Sequence, residues 1–178
     1  MGREIELLRH TDADGDLLTA EGVSAALAIG ARLRGGYHLA VSTGAQRATQ
    51  TLACCLAALG QQVPGGVVVE PGLRSQLEDR WRAAYQEAGS GALGALREAD
   101  PELVAEDSER LGAALHRVLD ALPAEGRALV VGHSPTNEAA VLGLAGEVVG
   151  PLGKGEGVLI VEDDGRFQVL AMKGRPSD

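Results

Sequence analysis

The stretch Ile5-Glu6-Leu7-Leu8-Arg9-His10 is where the sequence first indicates its fold, because a short apolar run ends directly in a cation and an imidazole. A run of this length between polar residues favours a strand that stops where chemistry can begin. Beyond the acidic segment of residues 12–16, Thr19 precedes an apolar pattern with helical spacing. Thr19 is therefore predicted to cap a helix that ends at Gly35-Gly36.

The alternation of short strands and amphipathic helices continues along the chain. Further strands are predicted over residues 38–41, 67–69 and 128–131. Further helices are predicted over residues 45–59, 101–122 and 138–144. Between the third strand and a Gly-rich break, residues that recur every four positions predict the buried face of one more helix: Leu73, Leu77, Trp81 and Tyr85.

The end of the chain predicts an antiparallel hairpin, with residues 157–162 and 167–172 on either side of Asp163-Asp164-Gly165. Strands that alternate with helices imply a mainly parallel sheet, with ligands beyond the carboxyl ends of the strands. The expected fold class is α/β: a three-layer sandwich with a mainly parallel central sheet, helices on both faces and the hairpin at one edge. The length of 178 residues fits a single domain over residues 1–178.

Composition and charge exclude several classes of function. The chain has 16 Lys and Arg against 25 Asp and Glu, and its net charge of −9 disfavours binding to nucleic acid or to an anionic membrane. One Trp, two Tyr and one Phe leave little aromatic surface for stacking on bases. Cys54 and Cys55 are adjacent in a predicted helix, where side chains diverge, so we expect packing thiols in a reducing compartment. No apolar run reaches the roughly 18 residues of a membrane span, and we expect a cytoplasmic protein.

Three predicted strand ends carry basic side chains and imidazoles to one edge of the sheet. The first ends in Arg9-His10, the second leads into a helix with Arg47 in its first turn, and the fourth ends in Gly132-His133. A cation in the first turn opposes the helix dipole and costs stability unless an anion shares the site. In an acidic protein, this convergence predicts a pocket for an anionic substrate.

On these residues the chain resembles the histidine phosphatase superfamily, which includes phosphoglycerate mutases and phosphohistidine phosphatases. The segments that carry the resemblance occur in the family's order, over about residues 4–60 and 128–172. They are Leu8-Arg9-His10, Leu18-Thr19-Ala20-Glu21-Gly22, residues 42–51 reading STGAQRATQT, and Val130-Val131-Gly132-His133-Ser134. The resemblance implies a phosphatase that hydrolyses a phosphate monoester or phosphoramidate through a covalent phosphohistidine.

The resemblance also implies roles for individual side chains. His10 would attack phosphorus through a neutral ring nitrogen, while its other nitrogen donates to a backbone carbonyl. Arg9 and Arg47 would bind the phosphoryl oxygens, and His133 would add a further donor. Positioning and charge stabilisation of this kind require no metal and no cofactor.

Two departures from the family pattern affect the pocket. Thr11 follows the nucleophile where the family usually has Gly, so its side chain is expected beside the phosphate and is a candidate for substrate contact. Leu73-Arg74 is followed by Ser75, where family members that cleave oxygen esters tend to place an acid that protonates the leaving oxygen. The nearby substitutes are Glu78, Asp79 and Glu70, of which Glu78 is favoured. If no acid is present, substrates with good leaving groups, such as phosphohistidine or an acyl phosphate, are favoured.

Other polar residues have a structural interpretation beside the functional one. Ser42, Ser134 and Asn137 could donate to phosphate, and Ser134 is included among the candidate substrate-binding residues. Capping the helices that follow them is the simpler role for all three. His38 and His116 are interpreted as hydrogen-bonded structural residues.

Several alternatives stay open. The acidic segment of residues 12–16 matches part of a calcium loop, but Leu17 and Val23 stand where that loop requires Gly and Glu. The segment is instead expected to flank the mouth of the pocket and to favour substrates with a basic surface. A non-catalytic phosphate-binding or regulatory module is the second reading of the chain, and a mutase-type phosphotransferase is the third. The expected partner is a small phosphorylated molecule or a phosphorylated protein, and the sequence does not indicate the oligomeric state.

Overall fold

The computed structural model of the chain describes residues 2–172. The strands within this range are β1 (Arg3–Arg9), β2 (Ala13–Asp14), β3 (Leu17–Leu18), β4 (Leu39–Ser42), β5 (Val67–Val69), β6 (Arg127–Gly132), β7 (Gly157–Asp163) and β8 (Arg166–Ala171). The helices are α1 (Ala20–Arg32), α2 (Gln46–Leu59), α3 (Glu78–Ala88), α4 (Leu93–Ala99), α5 (Pro101–Asp120) and α6 (Thr136–Ala145). One turn of 3₁₀ helix, Pro71–Leu73, joins β5 to the segment before α3.

The main sheet has six strands in the order β5-β4-β6-β1-β7-β8. Strands β5, β4, β6 and β1 run parallel, whereas β7 pairs antiparallel with both β1 and β8. Val131 in β6 pairs with Leu8 of β1 on one side and with Ser42 of β4 on the other. The carboxyl ends of these three strands therefore meet at one edge of the sheet.

Side chains that alternate along the central strands cover both faces of the sheet. On β1, Ile5 and Leu7 belong to a buried cluster with α3 to α6, whereas Leu8 belongs to a second cluster with α1 and α2. On β6, Val130 and Val131 divide between the two clusters in the same way. A strand that is buried on both faces reads as a continuous apolar run, which explains why residues 128–131 carry a clear strand signal.

Helices α1 and α2 approach each other closely on their side of the sheet. A Cβ atom on Gly30 would lie 2.3 Å from the carbonyl oxygen of Cys55, so glycine is required at this contact. The thiols of Cys54 and Cys55 are free, and the buried Sγ of Cys55 donates to the carbonyl of Ala26 at 3.4 Å. Thr19 caps α1 as predicted, because its side chain accepts from the N–H of Gly22.

The α/β prediction is confirmed, and the predicted strands of the main sheet lie within two residues of their observed bounds. The hairpin also occurs as predicted, with β8 at the edge of the sheet. The prediction of one buried helix face with Leu73, Leu77, Trp81 and Tyr85 is wrong in part. Helix α3 begins only at Glu78, and Tyr85 is 53% exposed. The hairpin β2–β3 and helix α4 are additional elements, and the glycines around α4 weaken its sequence signal. No helix in the described part of the chain is long and apolar enough to cross a membrane.

Candidate active site

The three strand ends bring the two predicted imidazoles and one predicted guanidinium together. The ring centroids of His10 and His133 are 5.4 Å apart, and the backbone N–H of His10 donates to the carbonyl of Gly132 at 2.9 Å. The Nε of Arg47, from the first turn of α2, lies 3.3 Å from the Nε2 of His10. The geometry thus assembles His10, His133 and Arg47 around a common point beyond the parallel strands.

His10 is held in one tautomer by a backbone contact. Its Nδ1 lies 2.7 Å from the carbonyl oxygen of Thr11, and a carbonyl can only accept, so Nδ1 carries the proton. Nε2 then keeps its lone pair, which accepts from the Nε of Arg47. Burial lowers the pKa of His10 below its usual value, although the hydrogen bond to the Thr11 carbonyl raises it. The positive charges of Arg47, Arg9 and Lys154 lower the pKa further. Near neutral pH, His10 therefore presents an unprotonated Nε2.

His133 is also a neutral ring with one nitrogen uncommitted. Its Nε2 shares a hydrogen bond with the Oγ1 of Thr43 at 2.8 Å. Its Nδ1 is buried and has no hydrogen-bond partner within residues 2–172. Burial, followed by the charge of Arg47 and the nearby ring of His10, lowers the pKa of His133 to about 3. Nδ1 is therefore the nitrogen of this ring that is left without a partner among the described residues.

Arg47 is fixed by a carboxylate from the hairpin β2–β3. The Oδ1 of Asp16 accepts from the Nη1 of Arg47 at 2.9 Å and from its backbone N–H at 3.2 Å. The Oδ2 of Asp16 accepts from the backbone N–H of Gln46 at 3.1 Å. Burial opposes the charge on Asp16, but these donations outweigh it and hold the pKa of the carboxyl below its usual value. The carboxylate of Asp16 is thus the anion that stabilises the start of α2 beside Arg47, and it belongs to the protein itself.

Arg9 reaches the site from the end of β1, and part of its guanidinium is already bonded. Its Nη1 donates to the carbonyl of Leu152 at 2.8 Å, while its Nε is buried without a partner among the described residues. The backbone N–H of Leu152 in turn donates to the Oε1 of Glu138 at 2.9 Å. The loop at Leu152 therefore holds Arg9 in place through a buried carboxyl group on α6.

Two side chains predicted to contact substrate donate their hydroxyl hydrogens elsewhere. Thr11 is 1% exposed, and its Oγ1 donates to the carbonyl of Gly22 at 2.8 Å, so in this arrangement it anchors α1 and is not a phosphate ligand. The Oγ of Ser134 donates to the Oε1 of Glu138 at 2.5 Å. Ser134 borders the cavity beside His133, but it can offer only its oxygen as an acceptor.

The capping roles predicted for Ser42, Ser134 and Asn137 are wrong. The residues at the helix starts are Ala45 for α2 and Pro135 for α6, and neither makes a capping bond through its side chain. Asn137 instead lies inside α6, where its side chain accepts from the N–H of His133 and donates to the carbonyl of Leu8. It thereby ties together the ends of β6 and β1.

A cavity of about 250 Å³ opens beside this cluster. Arg47 and His133 form one wall, and the opposite side is built from the segment before α3 and from α3 itself. The residues on that opposite side are Ser75, Glu78, Trp81, Arg82 and Tyr85. A larger groove of about 890 Å³ between α1 and the start of β7 contains none of the predicted site residues.

Of the three acids predicted as proton donors, Glu78 is the one that borders the cavity. Its Oε1 accepts from the Nε of Arg74 at 3.0 Å. Glu70 is bound to Arg117 at 2.8 Å, and Asp79, whose side chain is 96% exposed, pairs with Arg82. The assignment of Glu78 as a donor stays a prediction.

The acidic segment lies next to the site, but its charges are largely neutralised by this chain. Asp16 is bound to Arg47, and Asp12 forms an ion pair with Lys154. Within residues 2–172, no group of three or more His, Cys, Asp or Glu side chains is arranged to hold a metal ion. Of the carboxylates in this segment, the exposed Asp14 is the one left to attract a basic substrate. The expected preference for basic substrates therefore has little support from the charges.

Sequence reasoning missed the buried carboxylates that support the site. Asp107 on α5 is 1% exposed and accepts from Ser75 and Trp81, and Glu138 on α6 is fully buried. A signal for Asp107 exists, since it falls on the stripe of every fourth residue that includes Leu103 and Leu111. A charged residue on such a stripe indicates a buried partner.

The comparisons with known proteins agree with this geometry. The sequence model of the histidine phosphatase superfamily (branch 1) matches residues 3–150. The chain belongs to this superfamily. No curated protein sequence matches it significantly.

Solved structures with the same fold cover nearly the whole chain at low identity. A phosphoglycerate mutase from Bacillus anthracis is 21% identical with a TM-score of 0.71, over 95% of this chain and 92% of that one. A phosphoserine phosphatase from Entamoeba histolytica is 16% identical with a TM-score of 0.71, over 98% of each chain. A mycobacterial glucosyl-3-phosphoglycerate phosphatase is 18% identical with a TM-score of 0.69, over 95% and 98%. At these identities the likeness shows the shared fold.

Proposed function

We propose that this protein is a phosphatase that hydrolyses a phosphate monoester or phosphoramidate through a phosphohistidine on His10. The observation that carries the proposal is the state of that ring: Nδ1 is bound to the carbonyl of Thr11, and Nε2 is unprotonated beside the Nε of Arg47. A neutral imidazole with one unprotonated nitrogen, beside a guanidinium that can bind the phosphoryl oxygens, is the arrangement that nucleophilic attack on phosphorus requires.

In the first half of the proposed reaction, the Nε2 of His10 forms a bond to phosphorus as the bond to the leaving group breaks. Arg47 and Arg9 stabilise the charge on the phosphoryl oxygens, and His133 adds a further hydrogen bond to one of them. In the second half, water attacks phosphorus, and the electron pair of the phosphorus–nitrogen bond returns to Nε2. No metal or cofactor takes part in this scheme.

We favour a phosphatase over a mutase because little protein covers the site. Only the short hairpin β2–β3 separates β1 from α1 on the side of Arg47. The cavity of about 250 Å³ is bordered by Tyr85, which is half exposed, and it accommodates a small phosphorylated molecule or a phosphorylated side chain of a protein. Phosphatases and a mutase both occur among the structural neighbours.

The decisive experiment is to trap the intermediate. Wild-type protein is mixed with ³²P-labelled aryl phosphate, quenched, and tested for label that is stable in base and released by acid, as a phosphoramidate is. We expect His10→Ala to lose both the label and at least about 10⁴-fold in turnover. His116→Ala is the matched control, because His116 is an exposed histidine on α5 that pairs with Asp120.

Two outcomes would contradict the proposal. Turnover that survives in His10→Ala would exclude His10 as the nucleophile, and loss of turnover with chelator would exclude the metal-free scheme. A specific feature favours the alternative of a non-catalytic module: Arg47 and the first amides of α2 already bind the carboxylate of Asp16. Binding of inorganic phosphate with no turnover of any phosphoryl substrate would establish that alternative.

A further inference from the structure

Ser75 stands on the wall of the cavity and is bonded to a carboxylate behind it. Its Oγ donates to the Oδ2 of Asp107 at 2.5 Å and accepts from the backbone N–H of Leu77 at 2.9 Å. The Nε1 of Trp81 donates to the same Oδ2 at 2.6 Å. Ser75 also borders the cavity that Arg47 and His133 enclose from the other side. A hydroxyl at the cavity wall is thus connected to a buried carboxylate by one short bond.

A buried carboxylate of this kind needs an explanation. Asp107 is 1% exposed, within the described residues no Lys, Arg or His forms an ion pair with it, and Ser75 and Trp81 donate to its Oδ2. Holding an unpaired charge in a protein interior is costly, and an amide could orient Trp81 and Ser75 at a lower cost. The short bond between Ser75 and Asp107 gives a proton a direct path from one oxygen to the other. What a carboxylate can do here and an amide cannot is accept and return a proton.

We propose that Ser75 and Asp107 form a proton relay that serves the leaving-group side of the reaction. This inference rests on the proposed phosphatase function. Ser75 touches the reacting oxygen, and Asp107 is a positioning residue that acts through Ser75 and holds the proton from the second half-reaction of one turnover until the first half-reaction of the next. Trp81 holds the Oδ2 of Asp107 in line with the hydroxyl.

The relay balances over one turnover. When water attacks the phosphohistidine, its proton passes to the Oγ of Ser75 and the proton of Ser75 passes to Asp107. The new oxygen–phosphorus bond replaces the phosphorus–nitrogen bond to His10, whose Nε2 regains its electron pair. In the next turnover, Asp107 returns the proton to Ser75, and Ser75 protonates the leaving oxygen as its bond to phosphorus breaks. The acid of the first half-reaction is therefore the base of the second.

Two other groups at the cavity are less suited to this role. Glu78 is exposed, and its carboxylate already accepts from the Nε of Arg74 at 3.0 Å. Ser134 is also bonded to a buried carboxyl group, Glu138, but that group receives the N–H of Leu152 as well and fastens the loop that holds Arg9. Both provide comparisons for the test.

The test compares two substrates that differ in their need for an acid. The nitrophenolate of p-nitrophenyl phosphate leaves without protonation, whereas the alkoxide of glycerol 2-phosphate does not. We expect Ser75→Ala and Asp107→Asn to lower kcat/KM for glycerol 2-phosphate by about 10²–10³-fold, which is the range of general acid catalysis. For the aryl ester, we expect the same variants to lower kcat/KM by less than about 10-fold. With the aryl ester, both variants should release about one equivalent of nitrophenol in a burst and then accumulate phosphorylated His10, because hydrolysis has lost its base.

A purely structural role for Ser75 predicts a different pattern. In that case, the activity towards both substrates falls by the same factor and no phosphoenzyme accumulates. Either of these results would overturn the relay, as would wild-type behaviour in both variants. Ser75→Thr keeps the hydroxyl and should restore the activity with the alkyl ester. If Asp107→Asn does not fold, Ser75→Ala and Ser75→Thr decide the question without it. Ser108→Ala is the matched control on α5, since its buried hydroxyl has no partner within residues 2–172.

The remaining variants separate the relay from its competitors and from the proposed function. We expect Glu78→Gln and Ser134→Ala to change both substrates by the same factor without a burst. Selective loss of the alkyl ester and a burst in Glu78→Gln would assign the acid to Glu78 and exclude the relay. Failure of the wild-type protein to form a labelled His10 would contradict the proposed function itself, whereas a labelled wild type with an unaffected Ser75→Ala would contradict only the relay.

Discussion

The buried polar groups at the two ends of the central strands β1 and β6 differ in whether they have hydrogen-bond partners. At the amino end, the guanidinium of Arg127 donates to Glu4 and to the carbonyl of Gly35, and the hydroxyl of Tyr37 donates to Glu6. Each of these charges or dipoles therefore has a partner from this chain. Such bonding fixes the start of the sheet but leaves nothing for a ligand.

At the carboxyl end of the same strands, several polar atoms are buried without a partner in the described part of the chain. They include the Nε of Arg9, the Nδ1 of His133 and the Oε2 of Glu138. Unsatisfied groups of this kind cost stability, and they lie at the end of the sheet where we propose the active site. The two ends of the strands therefore differ in how completely their buried polar groups are bonded.

The largest effect that would test this contrast is expected from Arg47→Ala. Loss of the guanidinium removes a donor to the phosphoryl oxygens and should lower kcat/KM by about 10³-fold. The free energy of unfolding should change by less than about 1 kcal/mol, because the ion pair of Arg47 with Asp16 is partly exposed. Steady-state kinetics and urea denaturation of the same sample measure both quantities. Arg110→Ala, which removes an exposed arginine of α5, is the control, and equal losses of activity in both would refute the assignment.

At the opposite end of the strands, Arg127→Ala should show the reverse pattern. The variant leaves the carboxylate of Glu4 without its buried partner, and we expect a loss of about 3 kcal/mol in the free energy of unfolding. Activity per folded molecule should stay at the wild-type level. Chemical denaturation tests the first statement, and kinetics well below the melting temperature test the second. The double variant with Glu4→Leu should recover part of the loss, since no unpaired charge is left.

The histidines at the carboxyl end predict a dependence of stability on pH. The pKa of His133 is lowered from 6.5 to about 3 in the folded protein, so between these values the unfolded chain binds a proton that the folded chain does not. Stability should therefore fall as the pH decreases through this window. From pH 6.5 to 5, His133→Asn should lose about 1.5 kcal/mol less than the wild type. Identical slopes in the two proteins would show that His133 is not held neutral.

The lowered pKa of His10 makes a related prediction for catalysis. The acid limb of kcat/KM, where the nucleophile becomes protonated, should lie below pH 6.5. A limb at or above the usual value would mean that burial and the surrounding cations do not lower the pKa of the ring. The measurement uses the aryl ester, whose leaving group needs no proton.

The smallest effect is expected from Asp16→Ala. Asp16 accepts from the first backbone amides of α2 in place of a capping side chain, and its loss should cost about 1 kcal/mol in the free energy of unfolding. Asp14→Ala is the matched control on the same hairpin, with an exposed carboxylate, and should change stability by less than about 0.5 kcal/mol. Thermal and urea denaturation distinguish the two. Equal effects would show that general repulsion among the acidic residues, not the capping bonds, sets the stability of the hairpin.

Much of the fold could be predicted because its strands are buried on both faces and its helices carry clear end signals. Residues 128–131 are a continuous apolar run, Thr19 precedes a helix, and Asp163-Asp164-Gly165 marks a turn. The histidines and arginines at the strand ends were predictable for the same reason, since the end of a parallel strand fixes where the next residue lies.

The supporting residues could not be predicted to the same degree. Asp107 falls on the buried stripe of α5, but its partners depend on the way α5 packs against Ser75 and Trp81, which the sequence does not show. The contact of Asp16 with α2 joins residues 30 and 31 positions apart and depends on the conformation of a two-residue turn. Tyr85 lies four residues after the buried Trp81 in α3, but its ring is exposed at the border of the cavity, which the helical spacing does not predict.

Trp81 is the only tryptophan of the chain, and its indole N–H is bonded to Asp107 on the wall of the cavity. Intrinsic fluorescence therefore arises from a single chromophore, and that chromophore contacts the carboxylate whose charge changes during the proposed cycle. Adding or removing a proton there alters the electric field on the excited indole. Stopped-flow emission can consequently follow the cycle in real time, without a label and without any change to the sequence.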